Sequence, residues 1–480
     1  MRRRAALCLS VMLVCTLAIF LTLNGCGGGG SSTNTAPAPA PATGKIEHVV
    51  IIFQENRTPD NLFHDPVLIA NGADIASSGL DSSGASIPLT ATPLGVDYDL
   101  SHAHSGFLAM YDGGKMDGAN NVTISCSKGA TDCPLPQAQY KYVQSSDVTP
   151  YFAMAEQYTF GDRMFQTNEG PSFPAHQFII SGTSAPTATS DFFVSENPQG
   201  VPGAGSETGC TAPPAEWVVL IDPSGSESSQ MYPCMEHPTL TDGLNSKGIS
   251  WRYYAPSAGS IWTAPNAIQH MCGPNAAPPN ATACVGSDWV NNVVLYTTQN
   301  PAPILTDISN NQLPVVSWVI PSGQNSDHAG SLADVGGPSW VAAIVNAIGI
   351  SAYWSNTAII IAWDDWGGWY DHVPPAKIVN NGTSWGSGYV YGFRVPLIVI
   401  SPYAKAKYIS HVTHDFGSIL NLIEKTFGLP SLGYADAYAD DLSDCFDLNQ
   451  TPLTFQTIAA PMNAQHFLKD HTPATDPDDD

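Results

Sequence analysis

The chain has 480 residues, with 17 basic side chains against 42 acidic ones and a formal net charge of −25. Setting aside Arg2, Arg3 and Arg4 at the extreme N-terminus leaves 14 against 42, or −28. A surface of that sign repels nucleic-acid backbones and anionic membranes over a Debye length, which argues against binding either through a basic patch; catalysis on phosphate esters stays open if a metal supplies local positive charge.

The three arginines precede an apolar stretch from Ala5 to Leu23, then Leu23-Asn24-Gly25-Cys26. A charged leader with a short apolar core followed by small residues reads as a signal peptide over residues 1–25. The LNGC box resembles a bacterial lipoprotein signal, which implies cleavage before Cys26 and lipidation of its sulfur. Plain secretion with a different cut, or a transmembrane anchor, are the alternatives. Residues 26–45 are rich in Gly and Ser and then alternate Pro with Ala, the composition of a flexible tether. Seven of the ten cysteines lie beyond Cys26. Their spacing suggests Cys126 with Cys133, Cys210 with Cys234 and Cys272 with Cys284, leaving Cys445 over, although spacing alone cannot fix the connectivity.

One domain with inserted loops is expected over 46–470, ahead of an acidic tail at 471–480. Val49 to Phe53 is short and β-branched and predicts a strand buried on both faces of a parallel sheet. It ends abruptly in Glu55, Asn56 and Arg57, at the strand end where open α/β sheets bind ligands. A carboxylate beside an amide carbonyl offers oxygen ligands to a divalent metal; the same residues could cap a helix or pair on the surface. Gly72 to Pro93 and Asn197 to Pro214 predict surface excursions. Ser101-His102-Ala103-His104 is a histidine loop, structural if taken singly.

Ser172 follows Gly170 and Pro171 and is followed by Pro174, which predicts a sharp turn and then the first turn of a helix, where an anion can sit. It is a nucleophile candidate; a helix-capping serine is the alternative. Apolar runs at Phe178 to Ile180, Trp217 to Ile221, Leu313 to Ile320, Thr357 to Trp363 and Val395 to Ile400 alternate with helical patterns, the clearest at Phe416 to Phe427, stopped by Gly428 and Pro430. That alternation predicts an α/β fold with a mostly parallel sheet. Asn325 to His328 forms a second histidine loop. Asp364 and Asp365 end a buried strand side by side, with Gly367-Gly368 and Asp371-His372 following. Adjacent carboxylates repel unless a cation or proton neutralises them, so a metal site is the simplest explanation.

Taken in order, VVIIFQENRTPDNLF, DLSHAHSGFLAMYDGGKMDG, YFAMAEQYTFGDRMFQTNEGPSFPAHQFIISGTS, LNSKGISWRYYAP, LPVVSWVIPSGQNSDH, WSNTAIIIAWDDWGGWYDHVPP, YGFRVPLIVISPYAK and HVTHDFGSILNLIEKTFGL resemble the bacterial phosphoesterases that include phosphatidylcholine-type phospholipase C enzymes and secreted acid phosphatases. The resemblance spans nearly all of Ile46 to Leu429. It implies an alkaline-phosphatase-like α/β fold, with helices on both faces of the central sheet and loop-rich insertions. It further implies a divalent metal ion held by Glu55, Asn56, Ser172, Asp364 and Asp365, and Ser172 as nucleophile. His102, His328 and His372 would bind phosphoryl oxygens or handle leaving-group protons. Many relatives carry Pro-Asn-Arg where this chain has Pro174-Ala175-His176, which puts that arginine's role in doubt. The Asp364-Asp365 pair and the lack of a counterpart to the longer phospholipases' C-terminal extensions favour the acid phosphatase side. The implied protein is an exported periplasmic, cell-surface or secreted enzyme. Its substrate is a small phosphate ester or a phospholipid; its membrane contact runs through lipidated Cys26, and no nucleic-acid partner is expected. A phospholipase C acting on phosphatidylcholine-type diesters and a tethered surface protein without catalysis are the alternatives.

Overall fold

A computed structural model describes residues 45–131, 133–200, 207–330, 336–375 and 391–475. The expected leader, almost all of the tether and the last five residues of the acidic tail lie outside these. Among the described residues no helix is long and apolar enough to cross a membrane.

The run HVVIIFQ forms strand β1 (His48–Gln54). Val49 to Gln54 are all essentially without solvent contact, and since successive side chains point to opposite faces, both faces of the strand are covered. It is central in a sheet of nine strands, with β2 (Thr159–Phe165), β3 (Trp251–Ala255), β4 (Val293–Leu295), β5 (Val316–Val319), β6 (Thr357–Trp363), β7 (Arg394–Ile400), β8 (Tyr408–Ser410) and β9 (His414–Asp415). The spatial order is β4-β3-β5-β1-β6-β7-β2-β8, with β9 also paired to β2. Ile51 of β1 lies opposite Trp318 of β5 and Ile360 of β6, both parallel. Only β7 runs against its neighbours, pairing antiparallel with β6 and β2. Its register with β2 shifts between Val395 and Leu397, where Pro396 has no N–H to give a ladder. The expectation of a mostly parallel α/β sheet therefore holds.

Helices α1 (Ser145–Gln157) and α3 (Gly336–Gly349) pack together, as do α2 (Ser172–Ser181) and α4 (Phe416–Phe427). In α4, Ile419, Leu420 and Ile423 are fully buried; Asp415 caps the start and Gly428 ends it in the left-handed conformation at φ 64°. Two expected strands are corrected. Phe178 to Ile180 is the second half of α2, all ten residues of which are buried, because three apolar residues carry no period that separates strand from helix. The run at Trp217 to Ile221 does form a strand, Val218–Ile221, but in a separate three-stranded antiparallel sheet.

The excursion after Gly72 and the segment to Tyr142 carry a satellite core of their own, in which Tyr98, Leu100, Phe107, Met110 and Tyr140 pack with Trp366, Trp369 and Phe393. The three expected disulfides are present, Cys126–Cys133, Cys210–Cys234 and Cys272–Cys284, and Cys445 is free and buried.

Candidate active site

Ser172, Glu55, His328 and Asp364 follow strands β2, β1, β5 and β6, which all run the same way, so their loops gather beyond the carboxyl ends of these strands. At the end of β1 the chain turns through Asn56, which is left-handed at φ 62°, a conformation asparagine tolerates better than most residues. The turn aims the Asn56 N–H at Asp364 Oδ1 (2.9 Å), and the same oxygen accepts from Asp365 N–H (2.7 Å). Gly367 makes this possible: a Cβ there would stand 2.4 Å from the Asn56 carbonyl oxygen. Asp364 Oδ2 and Asn56 Oδ1 are buried and have no hydrogen-bond partner among the described residues.

Ser172 is the first residue of α2, and Pro171 occupies the cap position, so the serine is not a helix cap. Its hydroxyl donates to Asp365 Oδ2 (3.1 Å), while Asp365 Oδ1 accepts from the Gly367 N–H (2.6 Å). Phe173 N–H is taken by Asn197 Oδ1 (2.9 Å) and Pro174 has none to offer, so the helix presents an anion with its dipole more than with a row of N–H groups. Upstream, Asn168 Nδ2 donates to Gly170 O (2.8 Å), and Gln166 Oε1 accepts from Trp366 N–H (3.1 Å), tying the serine loop to the aspartate loop. One turn along α2, His176 is fully buried, with Nε2 3.3 Å from Glu55 Oε1 and 3.8 Å from Asp364 Oδ2. Donor atoms of Glu55, His176 and Asp364 lie within 4.8 Å of one another.

His102 donates from Nδ1 to the Leu100 carbonyl (2.9 Å). A carbonyl only accepts, so the proton sits on Nδ1, and Nε2 accepts from Asn56 Nδ2 (3.2 Å). That contact turns Asn56 Oδ1 the other way. His328 likewise donates from Nδ1 to the Ala329 carbonyl (2.6 Å), with its ring 5.8 Å from that of His102. The His328 loop is pinned by Asp327, whose Oδ2 accepts from Tyr151 Oη (2.8 Å) and Trp363 Nε1 (3.0 Å) and whose carbonyl accepts from Arg57 Nε (2.8 Å). Arg57 is thus a buried clamp, while its neighbours Glu55 and Asn56 face the site. Trp262 packs against both His176 and His328, and its indole N–H has no hydrogen-bond partner among the described residues. His104 is held elsewhere, its ring by the Glu169 carbonyl and its N–H by Glu196 Oε1.

His372 is not brought to this cluster. Its N–H and Nδ1 meet Asp60 Oδ2 (2.8 and 2.7 Å) and its Nε2 meets Asp74 Oδ1 (3.0 Å), in a network centred on fully buried Arg394, which forks onto Asp371 (2.9 and 3.0 Å) and reaches Asp60 (3.3 Å). Burial alone lowers the His372 pKa, but the Asp60 hydrogen bond and the charges of Asp60 and Asp371 outweigh it and bring it up to about 9. A raised folded value means that the imidazolium contributes fully below its unfolded pKa of 6.5 and ceases to contribute as pH rises through about 9. Between pH 7 and pH 9 the loss is about 2 kcal/mol. Asp371, raised to about 6 by burial, titrates below that window, whereas Glu196 and Glu424, pushed up to about 8 by burial, act in the same direction as His372. Denaturant melts at the two pH values are therefore expected to show a smaller loss in His372→Gln than in wild type. Equal losses would remove His372 from the pH response.

His176 is the site residue that reading the sequence missed as a contact, although a usable signal was present: Ser172 and His176 are four apart on one helix, and residues so spaced share a face. Buried Glu55 and Asp364 face it with carboxylate oxygens. Two orphaned buried oxygens and a hard oxygen donor set are what a divalent cation requires.

A helix-borne serine bonded to one of several buried carboxylates thus lies at the carboxyl edge of a mostly parallel sheet, where such folds bind ligands. A profile described as Phosphoesterase family matches residues 46–430, and the chain belongs to that family. It is 26% identical over 450 residues to Phospholipase C B of Mycobacterium tuberculosis, covering 85% of this chain and 78% of that one. It is 24% identical over 443 residues to the non-hemolytic phospholipase C of Pseudomonas aeruginosa, covering 84% of this chain and 57% of that one. A solved structure of a protein in the alkaline phosphatase superfamily from Vibrio parahaemolyticus matches with a TM-score of 0.34 and 11% identity over 84% of this chain and 71% of that chain.

Proposed function

We propose that the chain is an exported, metal-assisted phosphoesterase in which Ser172 is the nucleophile. The observation that carries this reading is the Ser172 hydroxyl donating to Asp365 Oδ2 among buried carboxylates. A divalent ion held by Glu55, Asn56, Asp364 and Asp365, with Ser172 beside it, would neutralise the phosphoryl oxygens and favour the ionised serine. Ser172 Oγ passes its proton to Asp365 Oδ2 as it attacks phosphorus in line with the leaving oxygen. His102, with its Nε2 engaged by Asn56 Nδ2, fixes the amide. His328, in its imidazolium form, gives the Nε2 proton to the departing alkoxide and later takes one from the water that attacks the phosphoserine. Ser172 then leaves and recovers its proton from Asp365.

The relatives named as phospholipases C favour a phospholipid diester as substrate. Asp364 beside Asp365, as in the acid phosphatase branch that the sequence resembles, favours a monoester as the second reading. Purified enzyme assayed on p-nitrophenyl phosphorylcholine and on p-nitrophenyl phosphate, with Ser172→Ala as the blank, separates them. Faster turnover of the choline ester is expected; turnover of the monoester alone would transfer the assignment to the phosphatase, and neither substrate cleaved would remove both.

Export and anchoring at Cys26 rest on the LNGC box and fit the three disulfides, which persist in oxidising compartments. Cys26→Ser is expected to move the processed protein from the membrane pellet to the soluble fraction, since two or more acyl chains anchor stably and none remains in the variant. Continued sedimentation of correctly processed variant would end the lipoprotein reading.

A further inference from the structure

At the far edge of the sheet, β8 ends at Ser410, β9 opens at His414, and a single turn of 3-10 helix (Ser443–Cys445) folds over both. His414 and Cys445 are fully buried, and the Asp444 side chain is 22% exposed, which leaves an approach from solvent. His414 Nδ1 donates to Asp440 Oδ1 (2.8 Å), an oxygen that also accepts from Ser418 Oγ (2.5 Å). With its proton committed there, the ring presents the Nε2 lone pair to Asp444 Oδ1 (3.4 Å) and Cys445 Sγ (4.0 Å), and Sγ stands 3.6 Å from Asp444 Oδ1.

His414 Nε2 and the two Asp444 oxygens face the Ser410 hydroxyl, within reach of both Nε2 (3.0 Å) and Asp444 Oδ2 (2.5 Å), the Tyr408 hydroxyl on Asp444, and the weakly donating thiol. The spacing of the three ligand atoms is that of a coordination shell. A tetrahedral zinc ion with ordinary bonds to nitrogen, oxygen and sulfur holds its donors about 3.3 to 3.7 Å apart, and only the Sγ to Nε2 edge is longer, by a few tenths of an ångström. A carboxylate behind the distal nitrogen of a ligating histidine is the usual arrangement that fixes its tautomer and raises its basicity.

We propose that His414 Nε2, Asp444 and Cys445 Sγ form a binding site for a thiophilic divalent cation of the zinc class, with Asp440 orienting the histidine. Binding breaks the S–H bond and releases that proton to solvent, leaving a metal–thiolate bond. The site shares no residue with the cluster around Ser172. Its role is to fasten the 443–445 turn to the sheet edge ahead of α4.

The test is a titration of metal-stripped full-length protein with cobalt(II). Thiolate-to-cobalt charge transfer in the near ultraviolet reports sulfur ligation, and the catalytic cluster contains no sulfur. The band is expected in wild type and lost in Cys445→Ser, together with about one equivalent of bound metal by elemental analysis. No band in wild type, or a band persisting in Cys445→Ser, overturns the proposal. If Cys445→Ser fails to fold, Asp440→Asn serves instead: the band is kept but cobalt affinity falls by roughly 10- to 100-fold, and unchanged affinity overturns the proposal.

Discussion

Ser172→Ala is expected to lower kcat by at least about a thousandfold while KM changes little, because the nucleophile is removed and the groups that bind phosphate are not. The fold should tolerate the change. The Ser172 hydroxyl makes one hydrogen bond, to Asp365 Oδ2, and losing one such bond costs about 1 kcal/mol. Steady-state kinetics beside a denaturant melt checks both halves. Activity within tenfold of wild type would mean that another group attacks phosphorus, and the reading of Asp365 Oδ2 as the serine's proton acceptor would go with it.

Stripping the protein of divalent metal should have an effect of similar size on turnover and a visible one on stability. Glu55, Asp364 and Asp365 are fully buried, and two oxygens beside them, Asn56 Oδ1 and Asp364 Oδ2, lack hydrogen-bond partners among the described residues. Without a cation the carboxylates repel at close range in a poorly solvated corner. An ion that binds only the folded chain stabilises it by about 2.7 kcal/mol at a hundred times its Kd. A strong chelator is therefore expected to lower the melting temperature and abolish esterase activity, and a divalent ion added back should restore both. Asp365→Asn should blunt the response. Running the series also in Cys445→Ser assigns it to the carboxylate cluster alone. Enzyme shown by elemental analysis to be metal-free and still fully active would sink the metal-assisted reading and leave Ser172 to act with protein groups only.

What could be read from the residues follows a physical division. β1, β6 and β7 are long β-branched runs, and α4 has an apolar face with a cap at each end, so local pattern is enough to place them. Phe178 to Ile180 is too short to show a period, and strand direction leaves no trace in a buried run, so neither the helical state of that segment nor the reversal of β7 was legible. The site divides in the same way. Glu55 and Asn56 close a strand, Asp364 and Asp365 close another, and Ser172 opens a helix, positions that each announce themselves locally. Arg57 looks like their equal in sequence, yet it reaches across to the Asp327 and Leu94 carbonyls. His372 follows an aspartate in a plausible loop, but the carboxylate that claims it, Asp60, is 312 residues away. Pairings at that range depend on the assembled sheet. His176 was visible as a departure from the family pattern, and only its distance to Glu55 turns the departure into a contact.

The three disulfides bear on which parts of the molecule depend on oxidation. Their partners are 7, 24 and 12 residues apart, and no bridged cysteine lies on a strand of the nine-stranded sheet. Each bridge restrains only its own short loop, a contribution of about 3 kcal/mol for a loop of this size. The strands that set Ser172 against Asp365 are therefore cross-linked by none of these bridges. Reduction is expected to loosen the three loops and to leave the nine-stranded sheet in place.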